Sequence, residues 1–221
     1  MRTDPTTSRR ALRNRPARRG DDREQALLAV AERLLNEDAF ESTPLAEIAA
    51  SAGVSRPGFY FYFASKEALL TTLIVRTLDM LAAGLPTSST PSDADPAAAL
   101  SEALLGAADI WYEHRAVLMA ATESGSSDTA VFERIVKAQS ALVTPTAALL
   151  RRGSRVRSNT DAYALAEMFT WMAERNFYVL SRQRPSRRQL HALAKRLLKV
   201  WVLAAGLEAD GGSHVAPRRK S

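Results

Sequence analysis

The chain has no cysteine, which excludes disulfides and thiolate metal sites and fits a reducing, cytoplasmic setting. Histidine is nearly as scarce: His114, His191 and His214 are the whole supply, and none stands in an HExxH or comparable ligand pattern. No run of 18 or more apolar residues occurs, so no transmembrane helix and no membrane partner are expected. The N-terminal stretch also lacks the apolar core of a secretory signal. No glycine-rich phosphate loop follows a strand, no nucleophile elbow appears, and neither strand-like alternation nor an internal repeat is found. These absences remove the common routes to hydrolytic, nucleotide-dependent and metal chemistry. No catalytic residue, metal or cofactor is expected. An enzyme acting on a hydrophobic small molecule remains as an alternative, but Glu102, Asp109 and Glu113, acidic on one helix, read as its solvated face.

What is present begins with charge. Residues 1–20 hold seven arginines (Arg2, Arg9, Arg10, Arg13, Arg15, Arg18 and Arg19) against Asp4 alone, a balance of +6. The whole chain is also +6, so the other 201 residues are neutral and the pI near 10.0 belongs to the terminus. Residues 1–20 therefore read as a disordered arginine-rich tail, and 211–221 as a second basic one. An arginine arm can track phosphates or enter a minor groove, with Arg18 and Arg19 nearest the folded part. A tail-driven binder of nucleic acid or of a membrane surface is a further alternative reading.

The 46% hydrophobic content is enough to build a core, and its spacing is helical throughout. A first helix is expected over Asp22–Asn36, with Leu27, Leu28, Ala31, Leu34 and Leu35 buried. A fourth runs from its Ser65 cap to about Leu85. After a loop at 86–96, helices follow at Ala97–Glu113, Ala116–Glu123, Thr129–Arg152, Thr160–Arg182 and Ser186–Glu208. Pro145 should kink or split the third of these. The fold class is all-α with about nine helices: a DNA-binding domain at 21–85 and a second helical domain at 86–210.

Between the first and fourth helices lies TPLAEIAASAGVSRPGFYFYFASK, residues 43–66. Leu45, Ile48, Ala49 and Ala52 give one short helix a buried side. Thr43 and Pro44 read as its N-cap and first residue. Gly53 supplies a turn and Val54 a plug, and a second short helix follows over Ser55–Phe63. This is a helix-turn-helix, whose second helix enters the major groove of double-stranded DNA. Phe59 and Phe63 face the small core, flanked by Ser55 and Tyr62. Pro57, Tyr60 and Phe61 point away from it, with Arg56 and Gly58 at the margins. The Arg56 fork suits guanine O6 and N7, and the Tyr60 hydroxyl suits a phosphate.

The string IAASAGVSRPGFYFYFASKEALL, residues 48–70, resembles the signature of the TetR family of bacterial transcriptional regulators, and the likeness extends over about 22–85. It implies a palindromic operator, a homodimer formed through the last two long helices, and release by a small hydrophobic effector. It also implies a phosphate contact at Lys66. Gly58 stands where the family often has threonine, and Pro44 where a second threonine is common, so an operator cannot be carried over. For pairing, the last two helices offer Ala162, Leu165, Ala166, Phe169 and Met172, then Leu190, Leu193, Leu197 and Trp201. GDDRE at 20–24 and MAERNFYVL at 172–180 resemble one mycobacterial branch of the family. That branch implies an apolar channel lined by Leu100, Ala107, Trp111, Ile135, Gln139, Leu142, Thr146, Phe169, Thr170, Ala173, Tyr178 and Trp201. Several aromatic or amide positions of that branch are aliphatic or small here, with Ala173 in place of a ligand-binding asparagine, so the expected channel is less aromatic and its ligand differs.

Overall fold

A computed structural model describes residues 15–83, 95–124, 129–153 and 159–207, and among them every regular element is a helix. In chain order these are α1 (Arg15–Asn36), α2 (Leu45–Ser51), α3 (Arg56–Tyr62), α4 (Lys66–Ala83), α5 (Pro96–Glu113), α6 (Arg115–Ser124), α7 (Thr129–Gly153), α8 (Asn159–Ser181) and α9 (Arg187–Ala205). They fall into two compact units. Among the described residues, the first comprises those through Leu78 together with those within His114–Phe132, and the second those within Asp79–Glu113 and those from Glu133 to Leu207. Thus α6 packs with α1 in the first unit, although the sequence places it in a domain starting at 86.

The first unit is built on apolar stripes that close on one another. Leu27, Leu28, Ala31 and Leu34 of α1 are buried, as are Ile48 and Ala49 of α2, Phe59 of α3, and Leu69, Leu73 and Ile74 of α4. Burying one such leucine or phenylalanine stabilises the unit by about 1.5–3 kcal/mol. Two side-chain contacts bind α1 to its neighbours: Glu24 accepts from Arg76 of α4, and Glu32 meets Nδ1 of His114, just before α6, at 2.6 Å. Helix α1 starts at Arg15 rather than Asp22, so Arg18 and Arg19 lie in helical backbone and not in a tail.

In the second unit α9 packs against α5 and α8, and α8 against α5. The Ser186 hydroxyl accepts from the amide of Gln189, whose side-chain oxygen accepts from the amide of Ser186 in return. Gly206 closes α9 at φ 63°, a left-handed conformation open to glycine. Ring stacking joins Trp111 of α5 to Phe177 of α8 at 6.1 Å, and Phe169 of α8 to Trp201 of α9 at 4.9 Å. Pro145 does not split α7, which is continuous through it. The carbonyl it leaves without an amide partner belongs to Ala141, on the exposed side of the helix, where water can satisfy it.

Candidate nucleic-acid interface and effector positions

The turn between α2 and α3 is fixed by backbone chemistry. Gly53 sits at φ 67° with nothing within 4 Å of the Cβ it lacks, so conformation rather than space requires glycine here. Its amide donates to Ala50 and that of Val54 to Ala49, closing α2. Ser55 then caps α3, its Oγ accepting from the amide of Gly58 at 3.1 Å. Pro57 stands in the first turn, where the missing N–H costs nothing.

From this start α3 presents two sides. Phe59 is fully buried and Phe63 nearly so, their rings 5.9 Å apart, and together they anchor the helix. Arg56 and Pro57 are exposed, Tyr60 is 50% exposed and Phe61 is 83% exposed. Tyr62 is half-buried, its ring edge-on to that of Phe61 at 5.1 Å. Gly58 is not an opening toward a ligand. A Cβ there would lie 2.9 Å from Cγ1 of Val54 and 3.1 Å from the capping Oγ of Ser55.

Lys66, expected to meet a phosphate, and Thr43, expected to cap α2 and to lie at the DNA interface, are both engaged within the protein. Pro44, not Thr43, is the N-cap of α2 and offers no side-chain bond. The Thr43 hydroxyl instead donates to the Ala39 carbonyl at 2.8 Å; Pro44 is itself extended and the helix begins only at Leu45, so Thr43 falls outside it. Lys66 donates to the carbonyls of Glu41 (2.8 Å) and Thr43 (3.3 Å) and lies 4.8 Å from the Phe40 ring centroid. It therefore clamps the loop ahead of α2. Nothing in the sequence pattern links Lys66 to a carbonyl 25 residues earlier, and buried Phe40 had no helical periodicity to reveal it.

The positions expected to line an effector channel all fall in the second unit. Leu100, Trp111, Gln139, Thr146, Phe169, Thr170, Ala173, Tyr178 and Trp201 are buried, while Ala107, Ile135 and Leu142 are half-buried. Phe169 and Trp201 meet face to face. Thr170 donates to the Glu167 carbonyl, and Tyr178 lies beneath the Arg175 guanidinium at 5.0 Å. Gln139 Oε1 and Trp201 Nε1 are buried without a hydrogen-bond partner, as is Ser181 Oγ. A cleft of about 450 Å³ opens in the first unit, lined in part by Leu35, Phe40, Leu70, Met119 and Glu123; no expected effector position lines it.

Two sequence expectations need correction in the second unit. Asp109 is not a free solvated carboxylate: it accepts from Arg187 Nε at 2.7 Å and meets His191 Nε2 at 2.5 Å. The bonded Arg187 guanidinium holds its carboxyl below the ordinary value of 3.8, with His191 acting in the same direction. Ala162, Ala166, Phe169, Leu190, Leu197 and Trp201, offered for pairing between subunits, are buried within the chain itself. The large apolar side chains left exposed on α8 and α9 are Tyr163, Met168, Trp171, Val179, Val200 and Leu203.

A capped, glycine-hinged helix pair with an anchored and an exposed side is the DNA-reading unit of a bacterial transcriptional regulator. Residues 27–73 match the model of the bacterial regulatory proteins, tetR family. The chain is 32% identical over 189 residues to the HTH-type transcriptional regulator EthR of Mycobacterium tuberculosis, spanning 83% of this chain and 87% of that protein. It is 35% identical over 132 residues to EthR of Mycolicibacterium smegmatis, 57% of this chain and 61% of that one. The fold matches a TetR-family regulator from Streptomyces coelicolor at a TM-score of 0.67 and 21% identity, covering 84% and 82% of the two chains. The protein belongs to the TetR family and is a transcriptional regulator, a class that is not enzymatic. Among the described residues no helix is long and apolar enough to cross a membrane.

Proposed function

We propose that this regulator is a dimeric repressor that holds a palindromic operator through two copies of α3 and leaves it when a small hydrophobic effector enters the second unit. The observation that carries the DNA reading is the division of α3: Phe59 fixes one side, and Arg56, Pro57, Tyr60 and Phe61 are exposed on the other. Arg56 would read a guanine edge and Tyr60 would donate to a phosphate. Lys66 would act through the loop it clamps. The exposed Tyr163, Met168, Trp171 and Leu203 on α8 and α9 support pairing of two chains there. Two recognition helices about 34–36 Å apart would then meet successive major grooves.

The partnerless Gln139 Oε1 and Trp201 Nε1 support an effector that carries a hydrogen-bonding group on an apolar body, since buried polar atoms rarely stay unpaired. It would act by binding one spacing of the recognition helices better than the other, and only to the extent of that difference. Binding to DNA from the region upstream of the protein's own gene tests the reading, with Arg56→Ala and Tyr60→Ala as controls. Saturable binding to one inverted repeat, lost in both variants, is expected. Salt-sensitive binding to any DNA that both variants retain would sink it.

A further inference from the structure

We propose that Phe61 is a specificity-determining residue whose ring contacts the C5 methyl of a thymine in each operator half-site. The proposal rests on the DNA reading above and adds a chemical identity to one contact. Phe61 is the most exposed of the large apolar side chains described, at 83%. It has no donor or acceptor, so a phosphate, the commonest partner of a DNA-facing side chain, gives it nothing. The ring is also held in place: Tyr62 meets it edge-on at 5.1 Å, and buried Phe59 fixes the helix beneath.

Its neighbours sharpen the choice. Pro57 and Phe61 are four residues apart and form an apolar ridge, beside the polar ridge of Arg56 and Tyr60. Arg56 and Phe61 are five residues apart, about 7.5 Å along the helix axis and close to two base-pair steps of about 3.4 Å each. With Arg56 on a guanine edge, Phe61 would therefore reach a base about two steps away, and its ring calls for an apolar feature there. Thymine is the one base that presents such a feature, a methyl group, in the major groove.

Replacing thymine by deoxyuridine removes that methyl and nothing else. The test uses the full chain and the operator found by upstream binding, with thymines exchanged one symmetric pair at a time. Affinities are measured by fluorescence anisotropy for the wild type, Phe61→Ala and Phe61→Leu. One symmetric pair is expected to cost the wild type about fourfold per half-site, the weight of one buried methyl group. Phe61→Ala should bind the thymine operator correspondingly more weakly and be indifferent to that exchange, while Phe61→Leu keeps part of the sensitivity. The exposed position leaves folding intact, which thermal melting verifies.

Specific binding in which no exchange separates the wild type from Phe61→Ala would overturn the proposal and place the ring against sugar or solvent. Unstacking at the site, seen as a rise in 2-aminopurine fluorescence that depends on Phe61, would overturn it in favour of insertion between bases. If no sequence-specific binding is found for any variant, the DNA reading itself fails and this contact with it.

Discussion

At the scale of single residues, Gly58 and Lys66 show how the recognition helix is held before DNA arrives. Alanine at 58 would gain about 1 kcal/mol of helix propensity. Against that, its Cβ would press on Val54 at 2.9 Å and on the capping hydroxyl at 3.1 Å, and overpacking of buried sites costs about 1–3 kcal/mol. Because Val54 is itself buried and β-branched, it has little room to yield. Gly58→Ala is therefore expected to lower the melting temperature and weaken operator binding. In a double-mutant cycle with Val54→Ala the two changes should be non-additive, since the second removes the methyl that the first meets. Additive losses in urea melts would show that the contact at Val54 does not govern the site. For Lys66 the choice lies between a clamp and a phosphate ligand. Lys66→Met keeps the stem and removes the ammonium, stranding the carbonyls of Glu41 and Thr43. As a clamp it should cost roughly 1 kcal/mol of stability without DNA present. As a phosphate ligand only, it would leave stability intact and reduce the salt slope of DNA binding by about one.

At the scale of elements, the contact between α5 and α9 carries a pH signature. The Asp109 carboxyl is depressed below its ordinary value by the bonded Arg187, then by His191. A depressed acid contributes stability above its unfolded value, here near 3.8, and loses it as pH falls through the lower folded value. Stability of the wild type should thus drop more steeply below about pH 4 than that of Asp109→Asn, which lacks the titrating group. Denaturant melts at a series of pH values from 5 to 2.5 check this, and parallel profiles would contradict it. The same pair marks what sequence could not reveal: Asp109 and His191 are 82 residues apart, and only the packing of α5 on α9 brings them together. Helical elements and the Phe59 anchor were legible because periodicity and turn chemistry are local. The start of α1 at Arg15 was not, since a run of arginines reads as solvated whether helical or not. Nor was the cap of α2 at Pro44, because a threonine before proline resembles an N-cap by composition alone.

At the scale of the whole molecule, the question is which sides of α8 and α9 a second chain would cover. Apolar spacing marks both a side turned to the chain's own core and a side turned outward, and periodicity alone does not tell one from the other. Burial does: Ala166, Phe169, Leu197 and Trp201 are occupied within the chain, whereas Trp171, Val200 and Leu203 are exposed. Leu203, 81% exposed, is the sharpest probe. A charge there should change the stability of an isolated chain by no more than about 0.5 kcal/mol, the usual range for surface substitutions. At a dimer interface the same charge would be desolvated opposite its own copy and would oppose association. Leu203→Glu is therefore expected to sediment as a monomer at micromolar concentration, with a melting temperature that is lowered by what association contributed and no longer depends on protein concentration. Its affinity for a full palindrome should fall by about 10²-fold or more, because the second half-site no longer gains from tethering. Its affinity for an isolated half-site should be unchanged, since α3 and its Phe59 anchor are untouched. A variant that remains dimeric and binds the palindrome normally would place the subunit interface elsewhere on the molecule.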